Sequence, residues 1–344
     1  MKLNPVYVYA PPFVTWSAGI RVLHQFCDQL NKNGIPAWLA LHGPASKHEV
    51  SSHLNTPVLN KETLQSHIKS GLKTIALYPE TILGNPLNAV VAITWILNTP
   101  KLLGGEENFK SDFVYGFTKT LVSEYEEGSS FKADGSIFLP PLDTAEVMKV
   151  VRKEDLSDPF KLLYCQKFRA LGGIPDLFGG KVIEVERFTS NAPSRAELLE
   201  MISKSEEVIV YENSTIITEA EIIGTPVRCI SNQWFNNLLA ENELGSDGVV
   251  WGIDTPKADT SKSREKILKA IEFAIDKLSS QLVLENSKWQ ALANTKEVTK
   301  TRLPQRSLIS RHSLVRVRLV FKSLGLLGVI RFGARYFYRW FYKR

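Results

Sequence analysis

The sequence predicts an α/β protein with two Rossmann-like halves, each a doubly wound parallel sheet, followed by a basic amphipathic helical tail. Three observations lead there. Short apolar runs alternate with helix-length amphipathic segments twice along the chain. A proline-containing stretch separates the two series. Charge is divided unevenly: residues 300 to 344 carry twelve Lys/Arg and no Asp/Glu, leaving 30 basic against 36 acidic side chains before them. The body is therefore mildly acidic and the tail strongly basic, which gives the tail an anionic partner of its own.

In the first half, Pro5 to Tyr9 (PVYVY) is a strand, followed by a loop from Ala10 to Ser17. Residues 19 to 33 then place Ile20, Leu23, Phe26, Cys27 and Leu30 on one helical face, and Asn33-Gly34 ends the helix. Ala37 to Leu41 (AWLAL) and Thr74 to Leu77 (TIAL) are further strands. A helical stretch is expected from about Pro86 to Leu97, ahead of Asp112 to Phe117 (DFVYGF). SIFLPPLDTAEV, stiffened by Pro140 and Pro141, is the exit from this half, and the charged stretch to Pro159 reads as a linker.

The second series opens at Lys161 (KLLYCQK), with strands at Lys181 to Val185 and Glu207 to Tyr211. Between those two, Ser194 followed by Glu197 forms a capping box that starts a helix running to Lys204. A later helix spans about Ser263 to Leu282. The resulting domains are 1–143, 144–299 and a tail at 300–344. The 344 residues, 44% hydrophobic and 23% charged, are enough for two such cores.

Cys27, Cys165 and Cys229 have no metal-like spacing and read as buried thiols of a reducing compartment. The six His are scattered, so neither a zinc site nor any other metal or cofactor site is expected. The opening MKLNPVYVYAPP has the character of a strand start rather than of a secretory signal. A cytoplasmic location follows, with the tail directing the chain to a membrane face.

Residues 211 to 227 (YENSTIITEAEIIGTPV) carry the most information about function. A polar loop leads into a short apolar helix that Glu219 and Ala220 open, and a Gly-Thr-Pro turn leads out into a strand. A carboxylate near a helix N-terminus can accept from ribose hydroxyls, and nearby backbone N–H groups can receive phosphate. This segment resembles the donor-site signature of nucleotide-sugar-dependent glycosyltransferases of the GT-B fold. That signature has two glutamates separated by seven residues, then Ala and Gly-Thr-Pro-Val. Glu219 takes the place of the second glutamate; position 211 is Tyr, and Glu212 lies one residue out of register. SAGIRVLHQFCDQL, from Ser17, resembles the opening of polysaccharide-assembly enzymes of the same fold.

The resemblance implies two domains facing across a cleft, with a nucleotide sugar held mostly by the C-terminal half and no bound cofactor. It also implies transfer to a lipid-linked or polysaccharide acceptor, with a lean towards retention of configuration. Glu219 would bind ribose, and Glu212, together with Glu80, would be catalytic. Lys167 and Arg169, after the KLLY strand, would neutralise the diphosphate leaving group in place of a metal, consistent with the absence of a DxD-type element. Ser17, Gly19 and Arg21 offer a small-residue helix start with a cation. Asn213, Ser214 and Thr215, beside Glu212, can hold phosphate or sugar hydroxyls. Glu80, after the TIAL strand, can hydrogen-bond an acceptor hydroxyl, act as a base, or cap the strand end. His24, one turn beyond Arg21, is expected to be structural.

In the tail, Arg331, Arg335, Arg339 and Lys343 recur every four residues, with Trp340 and other aromatics on the remaining faces. The eight uncharged residues between Lys322 and Arg331 are too few to span a bilayer, which takes about 20. A cationic stripe with aromatics suits an interfacial helix on an anionic membrane. Docking on the body and binding of single-stranded nucleic acid also fit the composition; the acidic body disfavours the latter, and no nucleic-acid partner is expected. Two other functions share this architecture: a nucleotide-sugar epimerase and a non-catalytic membrane scaffold.

Overall fold

The computed structural model describes residues 2–45, 49–102, 105, 108–153, 156–187 and 192–306. The tail residues Arg331, Arg335, Arg339, Trp340 and Lys343 lie outside this range. The chain divides into two compact units. Among the described residues, the first holds residues up to Pro141 together with 273–306, and the second holds Leu142–Glu272.

The first unit contains β1 (Val6–Ala10), α1 (Ala18–Lys32), β2 (Ala37–Leu41), α2 (Lys61–Lys69), β3 (Ile75–Pro79), β4 (Val91–Ile96), β5 (Phe113–Gly116), α3 (Lys119–Gly128) and β6 (Gly135–Ser136). Its six strands are all parallel, in the order β2-β1-β3-β4-β5-β6. The second contains α4 (Thr144–Met148), β7 (Lys161–Tyr164), α5 (Gln166–Ala170), β8 (Val182–Glu184), α6 (Arg195–Lys204), β9 (Glu207–Val210), α7 (Ile216–Ile223), β10 (Val227–Cys229), α8 (Glu241–Leu244) and β11 (Val249–Trp251). Its five strands are also parallel, in the order β11-β10-β9-β7-β8. The last helix, α9 (Ser263–Thr295), runs from the second unit into the first.

In each sheet the strand order reverses once, between β1 and β3 and between β7 and β9. At such a point successive connections leave in opposite directions, and a crevice opens at the carboxyl ends of the strands. The chain forms these sheets because most of its strand residues are apolar. Every residue of β1, β3, β4 and β9 is buried, as expected for parallel strands covered on both faces.

This explains one correction. The Pro86–Leu97 stretch, expected to be helical, contains β4. A continuous run such as VAITWI has no period that separates a strand from a buried helix, and here pairing with β3 and β5 decides. Helix starts follow local chemistry more faithfully. The Ser194–Glu197 capping box is formed, and Asn60, Thr118 and Asp143 cap α2, α3 and α4.

The second half of α9 is tied to the first sheet by buried polar contacts. Tyr115 donates to Glu285 at 2.6 Å, and Trp289 Nε1 donates to the Tyr115 hydroxyl at 3.1 Å. Gln290 accepts from the Asn4 backbone N–H and donates to the Asn4 carbonyl, both at 2.9 Å. Among the described residues no helix is long and apolar enough to cross a membrane. Replacing Gln290 by Ala strands a backbone donor and acceptor in the core. We expect Gln290→Ala to cost about 3 kcal/mol, read as a lowered urea midpoint for the first unit with unchanged folding of the second.

Candidate functional site

In the second unit the reversal lies between β7 and β9, and the chain leaving each strand end supplies polar groups. Tyr164 ends β7 and α5 follows at once. Glu212 follows β9 and is only 4% exposed. One of its carboxylate oxygens accepts from the backbone N–H groups of Lys167 (2.5 Å) and Phe168 (3.1 Å), the other from Arg187 Nη1 (3.0 Å). Glu212 therefore holds the start of α5 and a cation from the end of β8.

The Arg187 guanidinium carbon lies 5.0 Å from the centre of the Tyr164 ring, a cation–π contact, and its backbone N–H donates to the Gln166 side chain. Lys167 Nζ donates to the Asn213 carbonyl at 3.3 Å. Burial lowers the pKa of this ammonium; Glu212 acts in the opposite direction and Arg187 in the same one. Burial likewise raises the Tyr164 hydroxyl, against Arg187 and a hydrogen bond from Ser214.

The structure thus brings together Lys167, Glu212, Asn213 and Ser214 from the residues singled out in the sequence. It adds Arg187 and Tyr164, which that reading passed over. Both were within reach of the same rule: Arg187 lies three residues after β8 and Tyr164 is the last residue of β7.

Arg169 is not part of the cluster. It is exposed and makes a forked pair with Glu184, with bonds of 2.9 to 3.2 Å. In a five-residue helix, two residues on from Lys167 is the opposite side. The Asn213 amide is also committed, donating to the Asn237 carbonyl and accepting from the Leu239 N–H, so the loop after β10 is fastened to the loop after β9. Thr215 is the N-cap of α7, in helical conformation and without a side-chain cap bond.

Helix α7 begins at Ile216, three residues before the Glu219 start expected from the sequence. Glu219 accordingly sits within the first turn and is 1% exposed. Its carboxylate pairs with Arg195 Nη1 at 2.7 Å, and Arg195 Nε also reaches Glu146 at 3.2 Å. Glu219 thereby joins α7, α6 and α4. Gly224 ends α7 at φ +92°, a left-handed cap that favours glycine.

In the first unit the reversal lies between β1 and β3. Ser17 is the N-cap of α1 but makes no capping bond through its side chain. Gly19 lies in the first turn, where a Cβ would meet nothing closer than Leu97 at 3.9 Å. Arg21 is half-buried in the same turn. His24 is buried and donates through Nε2 to the Pro11 carbonyl at 2.9 Å, the structural role expected of it. Glu80 follows β3, is 3% exposed and accepts from the Leu97 N–H at 3.0 Å. Burial pushes its pKa up to about 7, opposed by that bond. Gly105 packs over Glu80: a Cβ there would lie 2.2 Å from the Glu80 carbonyl oxygen, so only glycine fits.

No protein-family model matches the sequence, and no curated protein matches it. Solved structures similar to the chain include a sucrose-phosphate synthase from Thermosynechococcus elongatus, at 11% identity and a TM-score of 0.44, covering 85% of this chain and 96% of that one. WaaG, a glycosyltransferase involved in lipopolysaccharide biosynthesis, is similar at 12% identity and a TM-score of 0.38, covering 84% and 97%. The spinosyn rhamnosyltransferase SpnG, complexed with thymidine diphosphate, is similar at 10% identity and a TM-score of 0.40, covering 84% and 100%.

Glu221, on α7, is a second buried carboxyl. Burial raises its pKa to about 8, although it accepts from the Gly248 N–H at 3.3 Å. For both Glu80 and Glu221 the folded pKa exceeds the unfolded one, so between pH 4.5 and 8 the native state binds more protons than the unfolded chain. Their contribution is complete below about pH 4.5 and is lost as pH rises through 7 and 8. The melting temperature should therefore fall from pH 5 to pH 8.5. Glu80→Gln should remove part of that fall, on the order of 3 kcal/mol at the alkaline end, measured by thermal unfolding across the range.

Proposed function

We propose that the chain is a glycosyltransferase that moves a sugar from a nucleotide-diphosphate donor to a lipid-linked or growing cell-surface glycan, at the cytoplasmic face of a membrane. The observation that carries this reading is the grouping of Lys167 and Arg187 around Glu212 where the second sheet reverses, beside the short polar loop that starts α7. Parallel α/β sheets take nucleotides at this place. Two basic side chains, Lys167 through its bond to the Asn213 carbonyl and Arg187 through its bond to Glu212, supply positive charge for a diphosphate. The GT-B resemblance of residues 211 to 227 supplies the sugar-transfer class.

In the transfer, the bond between the anomeric carbon and the donor phosphate oxygen breaks, and the acceptor oxygen bonds to that carbon. The acceptor proton passes to a base. Negative charge grows on the departing diphosphate, and fixed cations stabilise it in a partly dehydrated setting. Lys167 and Arg187 take that part, in place of the Lys167 and Arg169 pair. No metal is needed for it. Glu212 positions both cations rather than reacting. Glu80, with a proton affinity near neutral, is the acid–base candidate of the first unit. Glu219 supports the site by holding Arg195. The basic tail supplies the membrane attachment and keeps the enzyme in the plane of a lipid-linked acceptor.

A thermal-shift screen of UDP, GDP, dTDP and CMP, with their sugars, tests the reading. One of them should raise the melting temperature by an amount equivalent to about 3 kcal/mol at 100-fold excess over its Kd. Arg187→Ala and Lys167→Ala should each abolish most of that shift and lower transfer about 100-fold, whereas Arg169→Ala should leave both nearly unchanged. A flat response to every nucleotide refutes a nucleotide-sugar enzyme. Binding without transfer to any lipid-linked or glycan acceptor points to the scaffold instead.

A further inference from the structure

Arg187 brings its charge to the second unit's site on a long side chain with many rotamers. Such a cation stabilises a phosphate only for the fraction of time that it stands where the negative charge is. Its Nη1 bond to Glu212, at 3.0 Å, fixes one corner of the guanidinium. A ring face against the guanidinium carbon fixes its plane, and Tyr164 supplies that face with its ring centre 5.0 Å away. Gln166 fixes the backbone. Its side-chain oxygen accepts from the Arg187 N–H at 3.3 Å, while its amide nitrogen donates to Glu184, the last residue of β8, also at 3.3 Å.

The ring is a rigid support because the sheet holds it. Tyr164 pairs with Val210 in the ladder of β7 and β9, and its carbonyl accepts from the Tyr211 N–H at 3.1 Å. Tyr164 is 5% exposed and the Arg187 side chain 16%. A cation and a ring attract most strongly when both are largely out of water. Burial also holds the Tyr164 hydroxyl above the ordinary tyrosine range, so the ring presents a neutral π face rather than a second anion beside Glu212.

Glu212 and Tyr164 support the cations in different ways. Glu212 accepts from the N–H groups of Lys167 and Phe168 as well as from Arg187, so replacing it disturbs the start of α5 too. Tyr164 contacts Arg187, whereas Lys167 is held from the Asn213 carbonyl at 3.3 Å.

We propose that Tyr164 is a positioning residue for diphosphate binding: its ring, aided by the Gln166 amide, keeps the Arg187 guanidinium in the orientation in which it meets the phosphate oxygens. The proposal rests on the reading of Lys167 and Arg187 as the diphosphate site. Tyr164 acts through Arg187 and not through Lys167, so its effect is separable by experiment.

Inorganic pyrophosphate is the probe, because it carries the charge of a departing diphosphate without base or sugar. Its affinity for the full chain is measured by isothermal titration calorimetry, with thermal unfolding of each free variant as the check on folding. Tyr164→Leu should weaken binding about 10-fold, and Tyr164→Phe, which keeps the ring, should restore it to within about 2-fold of wild type. In an Arg187→Ala background Tyr164→Leu should cost nothing further, while in a Lys167→Ala background it should still cost about 10-fold. Gln166 is half-buried and outside the core. Gln166→Ala should weaken binding roughly 3-fold, again only while Arg187 is present, and it decides the matter if Tyr164→Leu does not fold. If a nucleoside diphosphate binds and pyrophosphate does not, that nucleotide serves as the probe in the same series. Wild-type affinity in Tyr164→Leu, an equal loss in Tyr164→Phe, or an undiminished loss in the Arg187→Ala background overturns the proposal and leaves the diphosphate site in place. If the wild-type chain binds neither pyrophosphate nor any nucleotide, the site reading and the proposal fall together.

Discussion

The buried carboxylate of Glu212 is the contact on which the rest of the second unit's site depends. Helix α5 is five residues long, too short to be stable by its own hydrogen bonds. Its first N–H groups need an acceptor, and Glu212 provides one from the neighbouring strand end. A buried carboxylate in turn needs compensation, and Arg187 supplies it from the end of β8 while resting over Tyr164 from the end of β7. One side chain thus ties together the ends of three strands. The same bonds decide where Lys167 and Arg187 stand, so the electrostatics of the site follow from its architecture.

A second device of the same kind lies on the other side of α7. Glu219 pairs with Arg195, which also holds Glu146, so α4, α6 and α7 meet around two carboxylates and one guanidinium. The carbonyls at the far end of α7 are gathered by the start of α9 and the turn before it: Arg264 donates to the Ile222 carbonyl at 2.8 Å, and Thr260 to that of Gly224 at 2.9 Å. A helix of eight residues is thereby fixed at both ends, and the polar loop before it is held in one place relative to Lys167 and Arg187. Buried ion pairs of this sort add little net stability, but breaking one leaves an uncompensated charge, and this makes the arrangement specific.

The first unit uses burial differently. Glu80 has the Leu97 N–H but no cation in the interactions described, and its carboxyl holds its proton up to about pH 7. Gly105 closes over its backbone where any side chain would collide. The end of β3 is therefore a place where a proton can be kept or given up near neutral pH, on the reversal that also receives the start of α1.

The alternation of strands and helices, the order of most elements, the capping box at Ser194 and the acid-free basic tail were legible in the sequence, because each depends on residues close together in the chain. So was the place to look for chemistry, since strand ends can be read from apolar runs. β4 was not legible: a fully buried strand and a buried helix have the same composition, and only pairing with β3 and β5 separates them. The partners of the charged groups were not legible either. Arg169 looked as good a phosphate ligand as Lys167 until Glu184 claimed it, Arg187 stood out only once Glu212 reached it, and Glu219 looked like a ribose ligand until the start of α7 buried it against Arg195. Local sequence determines which groups can bear charge and where a strand stops. Which charge meets which, across 15 to 45 residues of chain, depends on how the strands are ordered in the sheet, and only the tertiary structure decides that.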